Sequence, residues 1–161
     1  MLTAHISTVV HPWYRQFYLR RGAAEWASDR VTTEGYDVRI EAMDGFVYVG
    51  TSTYGHPTAV RVEVHDTAPE APDGADHEAE VPLLGEGPLA VLSWGDDEPV
   101  ATADLPDGPC RLRASWFGVA DAEAHPDNDL GGEDPSPERL QFQVWPAAAA
   151  ARRVTRRCGG T

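Results

Sequence analysis

The sequence predicts an all-β domain, an antiparallel β-sandwich of about 8–10 strands with little helix. Three observations predict it. Apolar residues recur with a period of two through most of the 161 residues, the spacing that gives a strand one buried and one wet face. No stretch of a dozen residues sustains a helical period. Turn residues punctuate the alternation roughly every ten residues, as in sandwiches and barrels.

Taken in order, strands are expected at residues 4–10 and 13–20, with a helical turn at 22–30 carrying Trp26. Further strands are expected at 36–41, 46–51, 59–65, 79–84, 89–94, 100–105, 110–117 and 139–145. The breaks fall at Asp44-Gly45, the Pro/Gly/Asp-rich stretch 69–76, 85–88, 95–98 and Pro106-Asp107-Gly108-Pro109, all rich in residues that favour turns. Val60, Val62 and Val64 alternate with Arg61, Glu63 and His65. Cys110, Leu112, Ala114 and Trp116 alternate likewise with Arg111, Arg113 and Ser115. Cys110 is therefore expected in the core as a small hydrophobe. Residues 1–147 form one domain on this pattern. Past Pro146 the Ala-Arg stretch has helical propensity but no apolar stripe to dock it, so residues 148–161 are expected as a flexible tail.

The charge is unevenly spread. The net charge is −13, yet Arg152, Arg153, Arg156 and Arg157 lie in the last ten positions, which leaves residues 1–151 with nine basic against 26 acidic residues, a balance of −17. Such a field repels nucleic acid and anionic membrane surfaces and draws in basic partners. No apolar run reaches the roughly 18 residues of a membrane span. The first residues lack a basic patch followed by an apolar stretch, and a cytoplasmic location is the expectation. Two cysteines, Cys110 and Cys158, do not make a disulfide framework.

The search for chemistry yields little that is catalytic. There is no Gly-x-Ser-x-Gly elbow, no phosphate loop with its lysine, and no pair of histidines at helical zinc spacing. The chain is read as a non-enzymatic binding protein without cofactor or metal. The longest loop, 121–138, holds seven acidic residues. Counted as a calcium loop from Asp127, it places Asp129, Gly132 and Glu138 suitably, but Gly131 stands where an oxygen ligand belongs and Pro135 and Pro137 block the exit helix. Solvated acid is the better reading. Asp127, Asp129, Glu133 and Asp134 on this loop, and Asp66, Glu70, Asp73 and Asp76 on the loop after residue 65, are the candidate partner-binding carboxylates. Of the tryptophans Trp13, Trp26, Trp94, Trp116 and Trp145, Trp145 lies opposite Leu140, Phe142 and Val144 in its strand and is expected as an exposed anchor. An alternative reading is a β-sandwich module for carbohydrate or calcium.

A further likeness runs through residues 13–146. Its pieces are Tyr14-Arg15-Gln16-Phe17-Tyr18-Leu19, Trp26, Gly35, Phe46-Val47-Tyr48-Val49-Gly50-Thr51, Val60-Arg61-Val62-Glu63-Val64 and Val81-Pro82-Leu83. They continue with Leu105-Pro106-Asp107-Gly108 leading to Arg111-Leu112-Arg113, and Leu140-Gln141-Phe142-Gln143-Val144-Trp145-Pro146. In order and spacing these resemble the bacterial competence-associated nuclease inhibitors and similar immunity-type proteins. The resemblance implies an intracellular inhibitor whose partner is a basic bacterial protein, a nuclease or toxin. It marks no individual binding residue.

Overall fold

The computed structural model describes residues 1–159. Among them the chain forms eleven strands in two sheets. One sheet has the order β1 (Leu2–Val10), β5 (Thr58–His65), β10 (Arg139–Pro146), β9 (Cys110–Phe117), β6 (His77–Leu83) and β11 (Arg153–Arg156). The other has the order β3 (Ile40–Met43), β4 (Phe46–Gly50), β2 (Gln16–Arg21), β7 (Leu89–Ser93) and β8 (Ala101–Ala103). Neighbouring strands run antiparallel except β5 and β10, which are parallel, with Arg139 opposite Ala59 and Val144 opposite Val64.

The alternation of β5 and β9 aims Val60, Val62, Leu112 and Trp116 at Phe17, Leu19, Val47 and Val91 of the facing sheet, and all of these are buried. Phe17 and Phe142 meet edge to face at 6.0 Å, and the Trp116 indole donates to the Gly50 carbonyl at 2.8 Å, bonding one sheet to the other. Each such side chain contributes roughly 1.5–3 kcal/mol by leaving water. Cys110 is in this core, fully buried.

Both outer faces are partly covered by the chain itself. Over the five-stranded sheet, Tyr18, Phe46, Tyr48 and Leu92 form a second cluster with Ala27, and Trp26 packs edge-on to Tyr18 at 4.8 Å and tilted against Phe46 at 5.0 Å. Over the six-stranded sheet, the loop from β5 to β6 runs the length of the strands. Its Pro69 and Glu70 carbonyls accept from Arg113 at 3.0 Å and Gln143 at 3.2 Å. Trp145 lies beneath this cover, 6% exposed and under the Arg113 guanidinium at 5.0 Å. The expectation of an exposed Trp145 is thus corrected. Strand parity placed it on the outer face, and that face is not solvent.

Residues 148–161, expected as a flexible tail, contain β11, which pairs with β6 from Arg153–Glu80 onward. Ladder pairing and ion pairs, with Val154 and Cys158 packed on the core, supply the docking that a helical apolar stripe does not. Arg153 joins Arg111 and Arg113 on the Glu80 carboxylate at 3.1–3.3 Å, and Arg152 reaches Glu34 at 3.1 Å. Gly160 and Thr161 lie outside the described residues. Burial disfavours the charge on Glu80, but the guanidiniums of Arg113, Arg153 and Arg111 outweigh it and hold its carboxyl below the usual range.

Two local expectations also differ. Residues 36–41 are divided between α1 (Thr33–Asp37) and β3, because the Thr32 hydroxyl accepts from the Gly35 amide at 3.1 Å and caps a helical turn. The turn at Ser28–Arg30 follows Trp26 and does not carry it.

Candidate functional site

The strand directions gather four connections at one end of the sandwich. Val10 pairs with Thr58, Gln16 with Gly50, Phe17 with Ser93, and Phe117 with Arg139, so residues 11–15, 51–57, 94–98 and 118–138 all emerge there. Together they carry ten carboxylates against one arginine.

The backbone is strained where this end begins. Tyr14 and Arg15 have φ of 57° and 59° in succession, a left-handed conformation costing roughly 1–2 kcal/mol per non-glycine residue. The bend after Pro12 turns Tyr14 outward against Trp94, at 4.7 Å between centroids, and against Tyr54 at 5.9 Å. Trp13 packs edge-on to Tyr54 at 5.7 Å. Its indole fills the room that side chains at Gly55 and Gly131 would need, since a Cβ there would lie 2.5 Å and 2.8 Å from the ring. The acidic loop is thereby seated on Trp13. Trp13 is 39%, Tyr14 59%, Trp94 38% and Leu130 79% exposed. A groove of about 490 Å³ runs between Trp13 and Leu130, bounded by His11, Pro57 and Glu133.

Beside the aromatics lies a polar cleft of about 350 Å³. Arg15 donates to the Ser52 carbonyl at 2.6 Å and to Asp129 at 2.5 Å. Arg39 donates to the Ser52 hydroxyl at 2.7 Å and to Glu123, at the end of α2 (Val119–Glu123), at 3.1 Å. Beneath them is Glu138, wholly buried, whose carboxylate accepts from the Ser52 and Thr53 amides at 2.9 and 3.0 Å and from the Thr53 hydroxyl at 3.0 Å. Burial pushes its carboxyl up against the pull of these donors and of Arg39. Glu138, the twelfth position of the calcium-loop count, therefore holds the 51–53 segment in place. Among the described residues no three His, Cys, Asp or Glu side chains converge as a metal site.

Of the carboxylates expected from sequence, Asp127, Asp129, Glu133 and Asp134 share this end, all exposed. Asp76 lies at its margin, accepting from the Val119 amide at 3.1 Å. Asp66 sits at the opposite end of β5, about 25 Å away for eight extended residues, where it pairs with the Met1 ammonium at 2.5 Å. Glu70 and Asp73 lie between, over the sheet. The 66–76 loop is a strap, and its four acids do not form one surface. Sequence reasoning passed over Tyr14, Tyr54 and Leu130 and the Asp96-Asp97-Glu98 run beside Trp94. The signals available were a Pro-Trp-Tyr turn and three consecutive acids following a tryptophan.

No protein-family model and no curated protein matches the chain. Solved structures do: a crystal structure of ComJ, inhibitor of the DNA-degrading activity of NucA, from Bacillus subtilis, matches with a TM-score of 0.67 over 91% of this chain and 99% of that one. The chain shares its fold with ComJ. Identity to ComJ is 14%, so the likeness is one of architecture. A second structure, described as crocagin biosynthetic gene J, matches with a TM-score of 0.57 at 16% identity, over 91% of this chain and 100% of its own. As in the resemblance read from the sequence, the shared part is the whole sandwich.

Proposed function

We propose that the chain is a non-enzymatic inhibitor of a basic bacterial nuclease or related toxin, acting in the cytoplasm by occupying the partner's substrate groove with its acidic loop end. The observation that carries this reading is the nine exposed carboxylates, against Arg15 and Arg39, around the exposed Trp13, Tyr14 and Trp94. A nuclease groove is cationic because it holds phosphates, and ordered loop carboxylates imitate that polyanion. Aromatic anchors inside a polar, acidic rim match the anatomy of a protein interface, with affinity concentrated in the aromatics and association rate in the charges. Asp127, Glu133, Asp134, Asp96, Asp97 and Glu98 form the rim, and Asp129, tied to Arg15, stiffens it. ComJ, with the same fold, is an inhibitor of a DNA-degrading nuclease, which favours this partner class over others of equal charge.

The test is to titrate the purified chain into a basic, DNA-degrading nuclease from the same organism while following DNA cleavage and binding heat. Stoichiometric inhibition with an association rate falling steeply with salt is expected. Unchanged cleavage and no binding heat across the nucleases and toxins of that organism would remove the proposal.

A further inference from the structure

The 127–134 stretch of the long acidic loop is fastened at its two ends by one buried side chain. His56 is 3% exposed. Its Nδ1 lies 3.1 Å from the Asp134 carbonyl oxygen and its Nε2 lies 3.2 Å from the Asp127 carbonyl oxygen. Both partners are main-chain carbonyls, which only accept, whereas a neutral imidazole has one N–H and one bare lone pair. A neutral ring would therefore set a lone pair against a carbonyl oxygen on one side or the other. The space beside the ring, among Thr53, His125, Asn128 and Ser136, has no room for a water, so solvent does not bridge the mismatch.

We infer that His56 is an imidazolium that acts as a cationic latch, closing the six residues between Asp127 and Asp134 into one fixed acidic surface. His77 supplies the contrast within the same molecule. Its Nε2 faces the Val38 carbonyl at 2.8 Å while its Nδ1 receives the Cys158 amide at 3.3 Å, one acceptor and one donor, which is the pairing a neutral ring satisfies. The titratable and charged groups around His56 are compatible with a cation. The His125 ring, following α2, lies tilted against it at 4.8 Å, with its Nδ1 accepting from the Asp127 amide at 3.2 Å. The loop contributes Asp127, Glu133 and Asp134, and β10 contributes Glu138, which reaches the neighbouring Thr53. All are anionic or neutral.

The latch makes loop order depend on pH in a defined direction. With the second proton present both carbonyls are bound, and as pH rises and that proton leaves, one contact is lost and the 127–134 segment loosens. The measurement is made on the whole chain, with no partner. Nitrogen NMR of the histidine rings reports directly which nitrogens carry protons, and amide exchange of residues 127–134 reports the loop. At pH 6.5 both His56 nitrogens are expected to carry a proton and His77 only Nε2, with exchange at 127–134, corrected for intrinsic rates, rising several-fold by pH 8.5. A His56→Gln variant, which offers one donor and one acceptor, is expected to show the faster exchange already at pH 6.5 and no rise with pH. A His56 ring with one bare nitrogen at pH 6.5, or corrected exchange that is flat with pH in the wild type, overturns the latch. Neither outcome depends on the nuclease-inhibitor reading.

Discussion

The Tyr14 ring lies 4.7 Å from that of Trp94 and is held there by a left-handed backbone at Tyr14 itself. Strain at an exposed aromatic, kept by the surrounding structure, is the pattern expected where presentation matters more than stability. Replacing Trp94 by Ala should therefore weaken nuclease binding by about 2 kcal/mol or more, near thirtyfold. Tyr14→Gly should weaken it similarly while leaving the melting temperature unchanged or raised, because glycine relieves a strain of about 1 kcal/mol. Titration calorimetry alongside thermal unfolding separates the two effects, and equal losses in both would argue against a presentation role.

The acidic rim is expected to act on rate. Neutralising Asp96, Asp97 and Glu98 together as Asn, Asn and Gln should slow association several-fold and flatten its salt dependence, with dissociation changed much less. Stopped-flow measurements at two ionic strengths check this. The same three changes leave the core untouched, so stability should move by less than about 0.5 kcal/mol.

Glu138 is a structural carboxylate. Glu138→Ala leaves the buried Ser52 and Thr53 amides without their acceptor and removes the more deeply buried of the two carboxylates beside Arg39, at 3.7 Å. A loss of about 3 kcal/mol in urea unfolding is expected. Because the floor beneath Tyr54 is disturbed, partner binding should fall with it.

His77 gives the fold a pH dependence opposite in sign to that of the latch. Burial, chiefly, with Arg39 and Arg157, holds its imidazole below the usual range against the pull of the Val38 carbonyl. The folded state keeps the ring neutral while the unfolded chain takes up a proton as pH falls past about 6.5. This contribution is therefore present above that pH and is lost on acidification. The urea midpoint should drop between pH 7.5 and pH 5.5, and the drop should be smaller in His77→Gln, which retains a donor and an acceptor.

The sandwich was legible in the sequence because two-residue alternation reports a half-buried face directly, and Val60, Val62 and Val64 point where their pattern says. The Asp44-Gly45 turn was equally plain, with φ of 52° and 91° closing the β3–β4 hairpin. What alternation does not report is what covers the other face. Trp145 and the Arg-rich tail were misplaced for that one reason, since the ion pairs of Glu80 with Arg111, Arg113 and Arg153 join residues more than thirty positions apart. The candidate site was half legible. Composition marked the 121–138 loop as acidic, but its meeting with Trp13 and Trp94 depends on strand directions in both sheets.

The parallel seating of β10 between β5 and β9 bears on how the molecule is made. β5 emerges from the ribosome some eighty residues before its neighbour, and until β10 inserts, the backbone groups on that edge of β5 have no strand partner. Contacts of such sequence separation are slow to form. Synthesis therefore passes through a stage in which half a sheet waits open, and refolding of the finished chain should proceed in milliseconds to seconds with aggregation as its competitor.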